Sequence, residues 1–176
     1  MNHIPQPESQ EYSPFYADYI QRAAARGDIH AALSLQPDEM KAALGGLSDS
    51  QARFKPGPQE WSIKEVVSHL IDGERVFSYR LLRVSRKDKT PLPGFEQDDY
   101  VREAKADEIA LADLMDEFTF LRRANLLAIK NMSASALAEV GTASGNPVSA
   151  RALVYILVGH VEHHMASLKE KYLPFA

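Results

Sequence analysis

The sequence contains no cysteine. That absence excludes disulfides, thiolate nucleophiles and Cys-ligated zinc or iron–sulfur centres, and it is compatible with a reducing compartment. An excess of positive charge is missing too: 20 Lys and Arg stand against 24 Asp and Glu, a formal charge of −4. Such a chain lacks the basic face of a protein whose main work is coating nucleic acid. Arg83, Arg86, Lys87 and Lys89 make only a small basic cluster. No apolar run approaches the ~20 residues that a membrane span needs; the longest is Ala152 to Gly159. The opening residues, MNHIPQPESQEYSPFY, lack the basic stretch followed by an apolar one that marks a secretory signal. The expectation is a cytoplasmic protein that partners neither nucleic acid nor membrane.

What is present is ordinary globular material. Of 176 residues, 45% are apolar and 25% charged, enough for one domain to bury a sizeable core without cross-links. Residues 1–12 are polar and contain proline, and read as a loose lead-in. Residues 13–176 read as a single domain.

Helical signals dominate. Ser13 can cap a helix with Pro14 in its first position, and Tyr16, Tyr19, Ile20 and Ala23 share a face. Gly27-Asp28 breaks or kinks this pattern. Ile29, Leu33, Met40, Leu44 and Leu47 continue it, with a second interruption expected around Pro37. Pro56-Gly57-Pro58 is a rigid turn. Ser62-Ile63-Lys64-Glu65 is a capping box preceded by Trp61, placed to pack as a staple. The helix it opens runs to about Ser85, with Val66, Leu70, Phe77, Leu81 and Val84 on its buried stripe. Lys87 to Tyr100 reads as a long loop of the kind that often carries function. A third long helix is expected from Asp107 to about Asn131-Met132, with a short turn after Ser133. Gly141 to Pro147 reads as a loop. A last helix, capped by Ser149, spans Ala150 to Tyr172 before Pro174. Nothing alternates convincingly at period two. The expected fold class is all-α, a four-helix bundle.

Histidines carry the chemistry. There are six, three of them in the run GHVEHHM. At ~100° per residue, with His160 set at zero, His164 falls near ~40°, His163 near ~−60° and Glu162 near ~200°. His160 and His164 therefore share the apolar stripe of Leu153, Ile156 and Leu157, and Glu162 points away. Buried imidazoles need something to satisfy them. One answer is hydrogen bonding within a metal-free core. Another is a divalent cation, for which neutral imidazole is a common ligand. The i,i+4 pair can converge on one ion, or His163 can replace His164 at i,i+3. His69 also faces inward, beside Val66, Gly73 and Val76, and can supply a third ligand, with Gly73 leaving room beside its ring. The run differs from the zincin motif H-E-x-x-H, because its Glu is third and cannot reach an ion held by His160 and His164.

Other side chains enter as weaker candidates. Asp72, one turn after His69, could orient a ligand or accept a proton, or simply be solvated. Asp98, Asp99 and Tyr100 could line the mouth of a site or sit on a plain surface loop. Arg75 and Arg80 could bind a substrate carboxylate or form ion pairs. Tyr79 and Tyr155 could present hydroxyls to a site but read first as aromatic core packing, and Met115, Met132 and Met165 read as packing residues rather than copper ligands.

The segments WSIKEVVSHLIDGERVFSYR, TPLPGFEQDDY and GTASGNPVSARALVYILVGHVEHHMASLKEKY, in this order and spacing, resemble the DinB/YfiT-like superfamily over most of residues 14–173. The resemblance implies a four-helix bundle that binds a divalent metal, zinc or nickel most often, through three histidines. By position these are His69, His160 and His164. It also implies a homodimer and one of several activities. Some relatives are S-transferases that use a low-molecular-weight thiol such as bacillithiol, mycothiol or glutathione on a small-molecule electrophile. Others are assigned only as metal-dependent hydrolases or damage-inducible proteins. A non-catalytic metal-binding or interaction module is the remaining reading.

Overall fold

A computed structural model describes residues 3–176. Among the described residues lie, besides short 3-10 turns, eight α-helices and one β-hairpin: α1 (Ala17–Ala25), α2 (Ile29–Leu44), α3 (Asp49–Ala52), α4 (Ile63–Ser85), α5 (Gln97–Ala104), α6 (Leu111–Lys130), α7 (Ala134–Leu137), β1 (Val140–Ala143), β2 (Asn146–Ser149) and α8 (Ala150–Ser167). The four long helices α2, α4, α6 and α8 form the bundle. Both α4 and α2 touch α6 and α8, so the order around the bundle is α2, α6, α4, α8. No described helix is long and apolar enough to cross a membrane.

The local signals act where the sequence places them. Ser62 Oγ accepts from the Glu65 amide at 3.1 Å, and the Glu65 carboxylate accepts from the Ser62 amide at 2.7 Å, closing the capping box of α4. Ser149 caps α8 through the Ala152 amide. Gly27 takes a positive φ of 74°, which separates α1 from α2.

Four expectations need correction. Pro37 does not interrupt α2, which runs through it with Pro37 buried; tertiary packing holds the turn that the missing N–H weakens. The third long helix begins at Leu111 rather than Asp107, because the Asp107 side chain instead accepts from Ser62 Oγ at 2.6 Å. The long loop ends earlier, where α5 starts at Gln97. The stretch expected as a loop at Gly141 to Pro147 is a hairpin, in which Gly141 pairs with Val148 and Thr142 with Pro147. Its turn residues Ser144 and Gly145 both have positive φ, the geometry of a tight two-residue connection. Leu92 joins this hairpin, bonding the Thr142 carbonyl and the Ser144 amide, and so ties the long loop to the turn. Helical backbone continues past Ser167 to Tyr172 as a wider π-type turn.

The lead-in is held at named points. Ile4 is buried and its carbonyl accepts from the Tyr155 hydroxyl at 3.1 Å. Glu11 pairs with Arg151 at the start of α8.

Inside the bundle, two apolar clusters are separated by a polar layer. One contains Ile29, Leu33, Leu81, Ile129 and Leu153; the other contains Met40, Val66, Leu70, Leu114 and Phe118. Between them, each long helix contributes polar residues: Gln36 from α2, His69 and Glu74 from α4, Arg122 from α6, His160 and Glu162 from α8. Arg122 donates to Gln36 at 2.7 Å, to Glu74 at 2.8 Å and to the Leu157 carbonyl at 3.0 Å. Gln36 passes the chain on to Glu162 at 2.8 Å. The candidate site is part of this layer.

Candidate functional site

Helix α4 delivers His69 and α8 delivers His160 and His164 to one point. The ring centroids of the three imidazoles lie 4.8 Å apart in every pair, and the planes meet at 71° to 88°. Nε2 of His160 is 2.9 Å from Nε2 of His69. One nitrogen from each ring lies within 4.8 Å of the other two. Tetrahedral ligation at ~2.0–2.1 Å needs nitrogens ~3.3 Å apart, so the cluster brackets that separation. His69 and His160 are buried, and His164 is half-buried. Nδ1 of His69 is buried with no hydrogen-bond partner. Between neutral rings that 2.9 Å contact is one N–H···N bond, and it leaves Nδ1 of His69 unpartnered, so hydrogen bonds alone do not satisfy the cluster. It fits a cation.

Burial pushes all three basicities down. His69 is lowered to about 4 and His164 to about 3, and His160 lies well below its usual value. The neighbouring rings add repulsion between protonated forms, and Arg122 adds more at His160. At neutral pH the three imidazoles are therefore neutral, with lone pairs available.

Packing fixes these rings. A Cβ at residue 73 would lie 2.5 Å from His160 Cε1, so Gly73 clears space for the ring across the interface. The expectation that it makes room for His69 is corrected to His160. Phe77 meets His160 edge-on at 5.5 Å. Trp61, before the cap of α4, lies 4.8 Å from His69 and stacks at 6.5 Å over His164. Trp61 thus does more than staple the helix start. Nothing in one sequence shows which imidazoles its ring meets.

A cavity of about 480 Å³ opens onto His69 and His160. Its walls include Phe15, Tyr16 and Tyr19 from the α1 side, Phe77 and Arg80 from α4, and Phe95 from the long loop. A second cavity of about 300 Å³ reaches His164, beside Trp61 and His163. Asp98, at the start of α5, lines both. The structure brings Asp98 to the rim; Asp99 and Tyr100 line neither cavity. Tyr16 and Tyr19 were legible as one helical face, but not as a cavity wall, because α1 had no visible partner. That partner is α8. A Cβ at Gly159 would lie 1.9 Å from the Tyr19 carbonyl oxygen, so the two backbones touch there.

The remaining candidates separate cleanly. His163 is half-buried and its Nδ1 lies 2.9 Å from an Asp18 carboxylate oxygen, outside the triad. Glu162 points away, towards Gln36 and Arg26. Asp72 is half-buried, lines neither cavity, and is not among the clustered groups. Burial raises its carboxyl, and the charges it feels are those of Arg75 and Glu117. Arg75 forms an ion pair with Glu117 at 2.5 Å. Tyr155 is a core residue as expected, whereas the expectation that Tyr79 packs in the core is corrected: it is exposed, with Arg83 against its ring and hydroxyl. Met115 and Met165 are buried in the second apolar cluster, and Met132 packs against the first.

Known proteins give this arrangement a context. No match was found among the curated proteins compared. In structure the chain is similar to YfiT from Bacillus subtilis, described as "a probable metal-dependent hydrolase with an unusual four-helix bundle topology". The TM-score is 0.76, covering 94% of this chain and 90% of that one at 15% identity, a likeness of fold. The family model of the DinB superfamily matches residues 32–168, a span that holds all three clustered histidines and all four bundle helices save the start of α2. The chain belongs to the DinB superfamily.

Proposed function

We propose that His69, His160 and His164 hold one divalent cation, zinc or nickel, and that the adjoining cavity is the active site of a metal-dependent enzyme acting on a small electrophile. The observation that carries this reading is the triangle of neutral imidazoles, each ring 4.8 Å from the other two. When bound, such a cation keeps its full charge and favours deprotonation of a water or a thiol at neutral pH. The chain's own residues then have defined tasks. The three rings orient the ion between α4 and α8. Phe77 and Trp61 keep those rings from rotating. Phe15, Tyr16, Tyr19 and Phe95 exclude bulk water from the larger cavity.

No described carboxylate joins the cluster. That favours an open coordination position over a closed, purely structural centre. The nucleophile is either water, giving a hydrolase, or a low-molecular-weight thiol, giving an S-transferase. With no cysteine in the chain, a sulfur nucleophile has to arrive as a cosubstrate. The two cavities, one at His69 and His160 and one at His164, support the two-substrate reading.

Elemental analysis of protein purified without a metal-affinity column, beside a His160→Ala variant, tests the centre. About one ion per chain is expected in the parent and a small fraction of that in the variant; equal content defeats the proposal. Zinc- and nickel-loaded protein screened against thiols and electrophiles, with His69→Ala as the control, then separates transfer from hydrolysis.

A further inference from the structure

The larger cavity has a second pole. Arg80 lines it and is only 3% exposed. Its guanidinium donates through Nη2 to the Pro93 carbonyl at 2.9 Å and to Ser144 Oγ at 3.1 Å. Nη1 makes a long contact of 3.5 Å with the Tyr16 hydroxyl. All three partners are neutral, and no carboxylate pairs with Arg80 among the described residues. Every other buried or half-buried arginine among the described residues has one: Arg22 has Asp18, Arg26 has Glu162, Arg83 has Asp88, Arg122 has Glu74 and Arg151 has Glu11. Burying a charge without a counter-charge is costly. Here the cost falls at the wall of a cavity.

The geometry gives the pole a length scale. Gly73, against which the His160 ring sits, and Arg80 are seven residues apart on α4, roughly 10 Å along the axis. Phe77 lies between them. Its ring centroid is 5.5 Å from that of His160 and 6.0 Å from Arg80 Cζ. The hairpin turn and the long loop hold the guanidinium in place through Ser144 and Pro93, and Leu92 ties those two segments together. Arg80 is thus positioned in advance with its Nη1 side least engaged.

We propose that Arg80 is a carboxylate-recognising residue, so that the cavity takes a small monoanionic acid. Its carboxylate meets the guanidinium, its apolar body lies along Phe77 and the surrounding aromatic rings, and its reacting end meets His69 and His160. A planar guanidinium matches a carboxylate with paired donors. A single positive charge, with Glu96 and Asp98 on the walls of the same cavity, favours a monoanion over a phosphate dianion. This inference rests on the proposed active site only for what happens at the reacting end; the anion pole stands on Arg80 alone.

The test is calorimetric and does not need turnover. The full chain, as purified and again after chelation, is titrated with 4-phenylbutyrate and with the neutral 4-phenylbutyramide. The acid is expected to bind at least tenfold more tightly than the amide in both preparations. Arg80→Met is expected to abolish that preference, and Arg80→Lys to keep part of it. Equal affinities of acid and amide in the parent, or an unchanged preference in Arg80→Met, overturn the proposal. If Arg80→Met does not fold, the parent and Arg80→Lys comparisons still decide it. A preference that vanishes on chelation also overturns it, because the anion then meets the cation, while the metal centre itself survives. Tighter binding of 3-phenylpropyl phosphate than of the acid overturns the choice of a monoanion. Loss of the metal centre in elemental analysis, with the acid preference intact, defeats the enzyme reading and leaves the anion pole standing.

Discussion

Gly73 on α4 and His160 on α8 are in contact across the bundle, and the missing side chain of the first is the space occupied by the ring of the second. A methyl group at residue 73 would lie 2.5 Å from Cε1 and 2.7 Å from Nδ1 of His160. Gly73→Ala is therefore expected to displace the ring, lowering stability by about 1–3 kcal/mol and weakening metal binding by at least tenfold. Gly46→Ala is the control, because nothing lies within 4 Å of a Cβ there. Chelator competition on both variants checks this. Equal affinities would remove Gly73 from the account.

Trp61 is the sole tryptophan, and its ring lies 4.8 Å from His69. Its emission is expected to fall on addition of nickel or copper ions, with saturation near one ion per chain. Zinc, which lacks partly filled d orbitals, is expected to quench far less. His160→Ala is expected to abolish the nickel response. A full response in that variant places the bound ion elsewhere.

Arg122 and Glu74 are each 2% exposed or less. Removing one partner of such a pair leaves an uncompensated buried charge, so Arg122→Met is expected to cost about 3–5 kcal/mol in denaturant titration. Replacing both, as Arg122→Met with Glu74→Leu, is expected to recover a large part of that loss. A loss below about 1 kcal/mol in the single variant contradicts the role given to the pair.

Glu11 tests the attachment of the N-terminal segment. The Arg151 guanidinium holds its carboxyl at about 2, against an ordinary 4.5. The folded pKa is the lower one, so the unfolded form takes up its proton first as pH falls. The stabilisation is fully present above pH 4.5 and is lost as pH falls through that value towards about 2. The protection of residues 3–12 against hydrogen exchange, taken relative to the intrinsic rate at each pH, is expected to fall over that interval. In Glu11→Gln the same residues are expected to be weakly protected at all pH values. A pH response of equal size in the variant would refute the assignment.

The sequence is legible where one segment decides its own structure. The Ser62 box, the break at Gly27 and the Ser149 cap need only neighbouring residues, and all three stand where the pattern puts them. The inward aim of His69, His160 and His164 follows from helical period alone. What escapes is structure decided by a distant partner. Arg122 and Glu74 are charged residues on buried stripes, and a single stripe does not say which charge it will meet. The hairpin is four residues a side, built partly of small residues, and its turn depends on a positive φ at Ser144 that only Gly145 beside it hints at. Asp72 stands one turn after His69 in sequence, and the charges it feels lie on Arg75 and on Glu117 of α6.

The contact between Gly159 and the Tyr19 carbonyl has a consequence for how the cavity can vary. Residue 159 sets how near the aromatic flank stands, and the next residue supplies an imidazole. Enlarging the former would lever α1 outward, widening the chamber while the donor nitrogen stayed on its helix. Breadth of the chamber and identity of the donor are therefore adjustable one at a time, by neighbouring codons.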